Sequence, residues 1–161
     1  MVARFTATVT TRVPAEAVWA RVTDWPAHGR WVPLTEVVVL TPQSTGVGAR
    51  FVGRTRLPLL GLGFDDPMEI TRWGPPRAGE PGRCSVVKQG RVLHGTADIV
   101  VEQVPGGGCT VSWREDVELS PLRLTRAVAP VFDPVLAAFM RAGFARTLRL
   151  MVGELERETQ G

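Results

Sequence analysis

The sequence predicts an α+β fold: a curved antiparallel sheet of about six to seven strands, with one long C-terminal helix lying against it. Three observations predict this. β-rich segments follow one another with only hairpin-length gaps between them. The gaps carry turn chemistry, as in Gly74–Pro75–Pro76 and Pro105–Gly106–Gly107–Gly108. The last thirty residues change to a helical period, with Leu136, Met140, Phe144, Leu148, Met151 and Leu155 three or four apart.

The elements follow in order. Residues 2–12 alternate and are rich in Val and Thr, so they read as a strand. Pro14 and Glu16 favour a helix start, and that helix ends near Asp24 because Trp25 precedes Pro26. One further helical turn is expected at His28–Val32, closed by Pro33. The expected strands are then Thr35–Thr41, Ala49–Arg56, Phe64–Trp73, Arg83–Gln89, Val92–Val104 and Cys109–Leu119. Pro121 closes the last. A short helix is allowed at 122–129, after which Pro130 and Pro134 interrupt, and the long helix runs from Val135 to about Arg157. There is no repeat and no linker, so residues 1–161 read as one domain. A straight helix cannot touch a strongly curved sheet along its whole length. The gap becomes a pocket.

Composition narrows the function classes. The chain has 161 residues, 44% of them hydrophobic. Gly and Pro together make about a fifth, turn-rich but short of a disordered composition. The net charge is +3, carried by scattered Arg with Lys88 the only lysine, so no basic stripe for nucleic acid is expected. Cys84 and Cys109 have no CxxC spacing and no neighbouring His, which argues for two reduced core thiols and against a metal site. The apolar stretch Val128–Val152 is broken by Asp133, Arg141, Arg146 and Arg149, so no transmembrane segment is expected. The N-terminal stretch alternates and lacks the apolar run of a signal peptide, which makes a cytoplasmic location the expectation. Neither GxSxG, HExxH, a P-loop nor a strand-borne GxGxxG is present, and no cofactor is expected.

Local segments carry a resemblance. Val13–Pro14–Ala15–Glu16–Ala17–Val18–Trp19, Thr23–Asp24–Trp25–Pro26 with Trp31–Val32–Pro33, and Gly46–Val47–Gly48–Ala49–Arg50–Phe51 resemble motifs of the START-like (SRPBCC) superfamily. That superfamily groups birch-pollen-allergen-like proteins, lipid-transfer domains and polyketide cyclases/dehydrases. The resemblance covers essentially the whole chain. It implies the helix-grip fold and an internal pocket, and its motifs are structural and specify no activity.

Strand parity supplies candidate pocket residues. On the last strand Val111, Trp113, Glu115, Val117 and Leu119 share one face. The apolar members turn that face inward, so Glu115 lies inside. It is either tied to an inward Arg or at the pocket's open end, or it is a ligand anchor or general acid. Asp66 shares a face with Phe64 and Met68, making a second inward acid unless Pro67 marks a bulge. Phe51 faces in beside Gly53, and Gly95 and Ala97 either enlarge the cavity or let the helix approach. His94 faces outward, and His28 reads as a surface or capping residue. The expected ligand contacts are Trp31, Phe51, Phe64, Met68, Trp113, Met140 and Phe144, with Glu115 and Asp66 orienting polar groups.

The expected function is therefore to bind a small hydrophobic or amphipathic molecule such as a lipid, isoprenoid or polyketide-like compound. The alternative is a cofactor-independent polyketide aromatase/cyclase or dehydratase with Glu115 and Asp66 as catalytic proton carriers. A second alternative rests on the apolar loop Leu57–Gly63, either a lid or a surface for a partner, a membrane or a weak homodimer.

Overall fold

The structure is a computed structural model and describes residues 2–57, 62–119 and 129–159. Seven strands form one antiparallel sheet. They are β1 (Val2–Thr11), β2 (Thr35–Val39), β3 (Arg50–Leu57), β4 (Leu62–Gly74), β5 (Gly82–Gln89), β6 (Leu93–Gln103) and β7 (Cys109–Leu119). Their order across the sheet is β1-β7-β6-β5-β4-β3-β2. After β1 the chain crosses to the far edge through α1 (Ala15–Val22) and a 3-10 helix (Trp25–Arg30). It then meanders back strand by strand until β7 pairs with β1, from Val2 opposite Glu118 to Thr11 opposite Cys109. The C-terminal helix α2 (Ala129–Glu158) lies across the sheet. Its 30 residues span about 45 Å.

The expected prolines do not interrupt α2. Pro130 falls in the first turn, where N–H groups have no partner within the helix, and Pro134 removes one bond further on. Residues 122–128 of the short helix allowed by the sequence lie outside the described residues. So do residues 58–61, and with them the lid and docking readings of the 57–63 segment. Leu57 and Leu62 are paired at the end of the β3–β4 ladder.

Side chains alternate as the period of two requires. On β5, Cys84, Val86 and Lys88 are buried. On β6, Ala97, Ile99 and Val101 are buried, and on β7 so are Val111, Glu115 and Val117. The core is densest at one end of α2. There Leu148, Met151, Val152 and Leu155 join Ala15, Val18, Trp19 and Val22 of α1 in one apolar cluster with the sheet. Toward the N-terminal half of α2 burial lapses, and Phe139 is 77% exposed. Among the described residues no helix is long and apolar enough to cross a membrane. Cys84 and Cys109 are buried free thiols. Burial pushes them up to about 12 and about 11, too high to supply a thiolate near neutral pH.

Candidate functional site

Where α2 parts from the sheet, the two enclose a cavity of about 390 Å³. Each sheet wall follows from strand parity. β3 contributes Phe51, Gly53 and Thr55, and β4 contributes Phe64, Asp66 and Met68. Lys88 enters from β5, Leu93 from β6, and Trp113 and Glu115 from β7. The helix side runs from Phe139, Met140, Gly143 and Phe144 on to Arg146, Leu148 and Met151, and the 3-10 helix adds Trp25 and His28. The walls are aromatic and aliphatic almost throughout. Trp25 stacks on Phe51 with ring centroids 4.5 Å apart, and Trp113 meets Phe144 at 5.7 Å.

Besides His28 and the exposed Arg146, three buried ionisable side chains interrupt this apolar surface from the sheet. Lys88 Nζ donates to Asp66 Oδ2 at 2.8 Å and lies 3.8 Å from Glu115 Oε2. Trp113 Nε1 donates to Glu115 Oε1 at 2.8 Å. All three are removed from solvent, with side chains 7%, 10% and 1% exposed for Lys88, Asp66 and Glu115. Burial works against the Lys88 ammonium. The attraction of Glu115 and Asp66 outweighs it, so the Lys88 pKa rises and the charge stays. For Glu115 burial wins and its carboxyl is raised above the usual range, against the pull of Lys88 and the Trp113 hydrogen bond. The cluster therefore sets one ammonium against two acidic side chains, Asp66 the nearer.

His28 is a correction to its expected surface position. It is buried, and its Nε2 lies 3.0 Å from the Val22 carbonyl oxygen, to which its N–H donates. Burial lowers its pKa to about 4 despite that bond, so at neutral pH the ring is uncharged. Trp31 is a second correction. It does not line the cavity; it lies against α2, where Nε1 donates to Glu154 Oε2 at 2.8 Å. The Arg21 and Arg30 guanidinium groups sit over its ring, 5.6 and 5.2 Å from the centroid. Gly95 is a third. It neither enlarges the cavity nor admits the helix. It has φ +138°, and a side chain there would meet the Asp116 carbonyl oxygen at 2.2 Å.

The other expected contact residues, Phe51, Phe64, Met68, Trp113, Met140 and Phe144, all line the cavity, together with Glu115 and Asp66. Pro67 makes no bulge that would turn Asp66 outward; the pairing runs unbroken through Gly53–Asp66 and Phe51–Met68. The inward cation beside Glu115 is a lysine, where an arginine was expected. His94 faces out as expected, 3.5 Å from Glu118. Sequence reasoning missed Lys88, Trp25 and His28. Parity with Cys84 and Val86 on β5 points to Lys88. The spacing of three between Trp25 and His28 eclipses them on a 3-10 helix and puts them on one face.

A larger concavity, about 670 Å³, lies at the other end of the molecule, lined by Thr11, Arg12, Glu156 and Thr159 among others. Two of its hydroxyls are already engaged, Thr11 donating to Glu156 and Thr159 to the Leu155 carbonyl. No group of three metal-ligating side chains occurs among the described residues.

The family profile described as "Polyketide cyclase / dehydrase and lipid transport" matches residues 2–158. No curated protein sequence matches the chain. Among solved structures, the ZhuI aromatase/cyclase from Streptomyces sp. R1128 is similar with a TM-score of 0.70 at 15% identity, over 99% of this chain and 96% of that one. A protein of unknown function from Staphylococcus aureus gives 0.71 at 11% identity, over 100% and 98%. Human STARD10 gives 0.63 at 12%, over 98% and 68%. At such identities the likeness establishes the fold alone, and that fold is the helix-grip.

Proposed function

The chain belongs to the polyketide cyclase/dehydrase and lipid transport family, and from that premise we propose that it binds a small hydrophobic or amphipathic molecule, of lipid, isoprenoid or polyketide character, between the sheet and α2. The observation that carries this reading is the cavity itself: about 390 Å³ of apolar-walled space with three buried ionisable groups gathered in one cluster. Unfilled volume in a core costs roughly 24 cal/mol per Å³. Over this cavity the upper bound is about 9 kcal/mol, water at the open mouth reducing it. That is on the scale of a whole domain's net stability of about 5–15 kcal/mol. A ligand that fills the space stabilises the fold. In this reading Phe51, Phe64, Met68, Trp113, Met140 and Phe144 grip the apolar body, and Lys88, Asp66 and Glu115 orient its polar end.

A second reading is favoured by the cluster: cofactor-independent proton transfer on a polyketide-like substrate, as an aromatase/cyclase or dehydratase. Glu115 holds a proton above the usual carboxyl range. Lys88 is a fixed positive charge beside it that suits a developing enolate.

Native mass spectrometry of the purified protein, followed by denaturing extraction, tests the first reading. The expected result is a stoichiometric hydrophobic molecule released on unfolding. A bare mass, together with no thermal shift across lipids and aromatic polyketides, would overturn it. Conversion of the molecule on incubation, lost in Glu115→Gln with affinity little changed, would establish the second reading instead.

A further inference from the structure

Resting on the cavity-binding reading, we propose that the polar end of the ligand is an uncharged hydroxyl, an alcohol or phenol, seated against Asp66, and that carboxylic acids are rejected. The argument is a count of unused hydrogen-bonding atoms. Lys88 Nζ already has Asp66 Oδ2 at 2.8 Å, Met68 Sδ at 3.6 Å and Glu115 Oε2 at 3.8 Å around it. Its charge is spent on carboxylates of the protein. Asp66 Oδ1, on a side chain only 10% exposed, has no hydrogen-bond partner. Trp25 Nε1 is likewise buried without one. His28 donates through Nε2 to Val22, which leaves Nδ1 a bare acceptor. These three side chains all border the cavity.

The unused buried set is thus two acceptors and one neutral donor; Arg146, the other cation on the lining, is exposed to solvent on α2. A hydroxyl both donates and accepts, and so matches that set. A carboxylate only accepts. It would enter a site that already holds two acidic side chains against one ammonium, in surroundings where like charges are costly. An ammonium only donates, and would be set beside Lys88. A hydrocarbon with no polar group leaves Asp66 Oδ1 unsatisfied, and burying such an atom without a partner is unfavourable.

Equilibrium dialysis at pH 7 with three probes that share one ring system, 2-naphthol, 2-naphthoate and 2-methylnaphthalene, tests this. The wild-type protein should bind 2-naphthol about tenfold or more tightly than either other probe, the worth of one hydrogen bond to a charged acceptor. In Asp66→Asn, Lys88 is released to the ligand and the preference for 2-naphthol over 2-naphthoate should fall below about threefold. Equal binding of 2-naphthol and 2-methylnaphthalene, or 2-naphthoate binding as well as 2-naphthol, would overturn the inference and leave cavity binding standing. Failure of all three to bind would overturn the cavity reading and this inference with it. The wild-type comparison decides even if Asp66→Asn does not fold.

Discussion

The His28 imidazole is held by Trp25 and Trp113, with ring centroids 5.2 and 5.7 Å away, while its Nε2–H is committed to the Val22 carbonyl. Protonating it would leave a buried charge, and for that reason its pKa falls from 6.5 to about 4. The unfolded chain takes up a proton near pH 6.5 that the folded chain refuses until about pH 4. Stability from this residue is therefore full above the upper value and lost as pH falls through the window. Glu115 works the other way, its raised pKa favouring the fold at low pH and losing that contribution as pH rises. Comparing variants separates the two. Between pH 7 and pH 4.5, urea denaturation should show wild type losing on the order of 2 kcal/mol more than His28→Gln. Equal losses would remove this account of His28. The residue scale is also where the sequence is least readable. Parity on β4 and β7 places Asp66, Met68, Trp113 and Glu115 correctly. The same parity places Lys88, yet a lone lysine reads as solvated, because only its two acidic partners, 22 and 27 positions away, make burial tolerable. Trp31 and Trp25 are chemically identical, and a continued spacing of three would put them on one face; Trp31 lies past the end of the 3-10 helix at Arg30 and is turned to Glu154 of α2 instead.

Strand existence and order of elements are legible because each depends on local chemistry: alternation within a strand, and Gly or Pro between strands. The role of a glycine inside a strand is not, because it depends on what lies across the ladder. Gly53 and Gly95 illustrate this. A methyl added at Gly53 would meet nothing closer than Met68 Cε at 3.5 Å, the far end of a flexible side chain. One added at Gly95 would overlap the Asp116 carbonyl oxygen and the Val117 Cα, at a backbone φ of +138° that side chains rarely adopt. Gly53 is a cavity residue, whereas Gly95 is required by the backbone between β6 and β7. Accordingly Gly95→Ala should lose on the order of 3 kcal/mol in urea denaturation. Gly53→Ala should stay within about 1 kcal/mol of wild type while weakening any cavity ligand. Similar losses in the two variants would show that Gly53 is also held by packing and does not mark open space.

At the scale of the whole molecule the cavity follows from topology. In the seven-stranded sheet β7 pairs with β1, which with β2 forms the two open edges, and such a twisted sheet curves away from a helix 30 residues long. Sheet and helix meet at the C-terminal half of α2, where Leu148, Met151 and Val152 are almost wholly buried. They part toward the N-terminal half, where Met140 and Phe144 border the cavity, whose inner end reaches Leu148 and Met151. The periodicity of α2 is the same along both halves, so sequence shows an unbroken apolar stripe and conceals the change from core to cavity wall. Energetics should expose it. Leu155→Ala removes packed volume from the cluster beyond the cavity and should cost about 2–5 kcal/mol. Met140→Ala enlarges a space that is already open and should cost less than about 1 kcal/mol. The same Met140→Ala change should shrink the thermal shift produced by 2-methylnaphthalene, which Leu155→Ala, outside the cavity lining, leaves in place so long as the protein stays folded. If the two truncations cost the same, the helix is packed on the sheet along its full length, and the space between them is too well filled to hold a ligand.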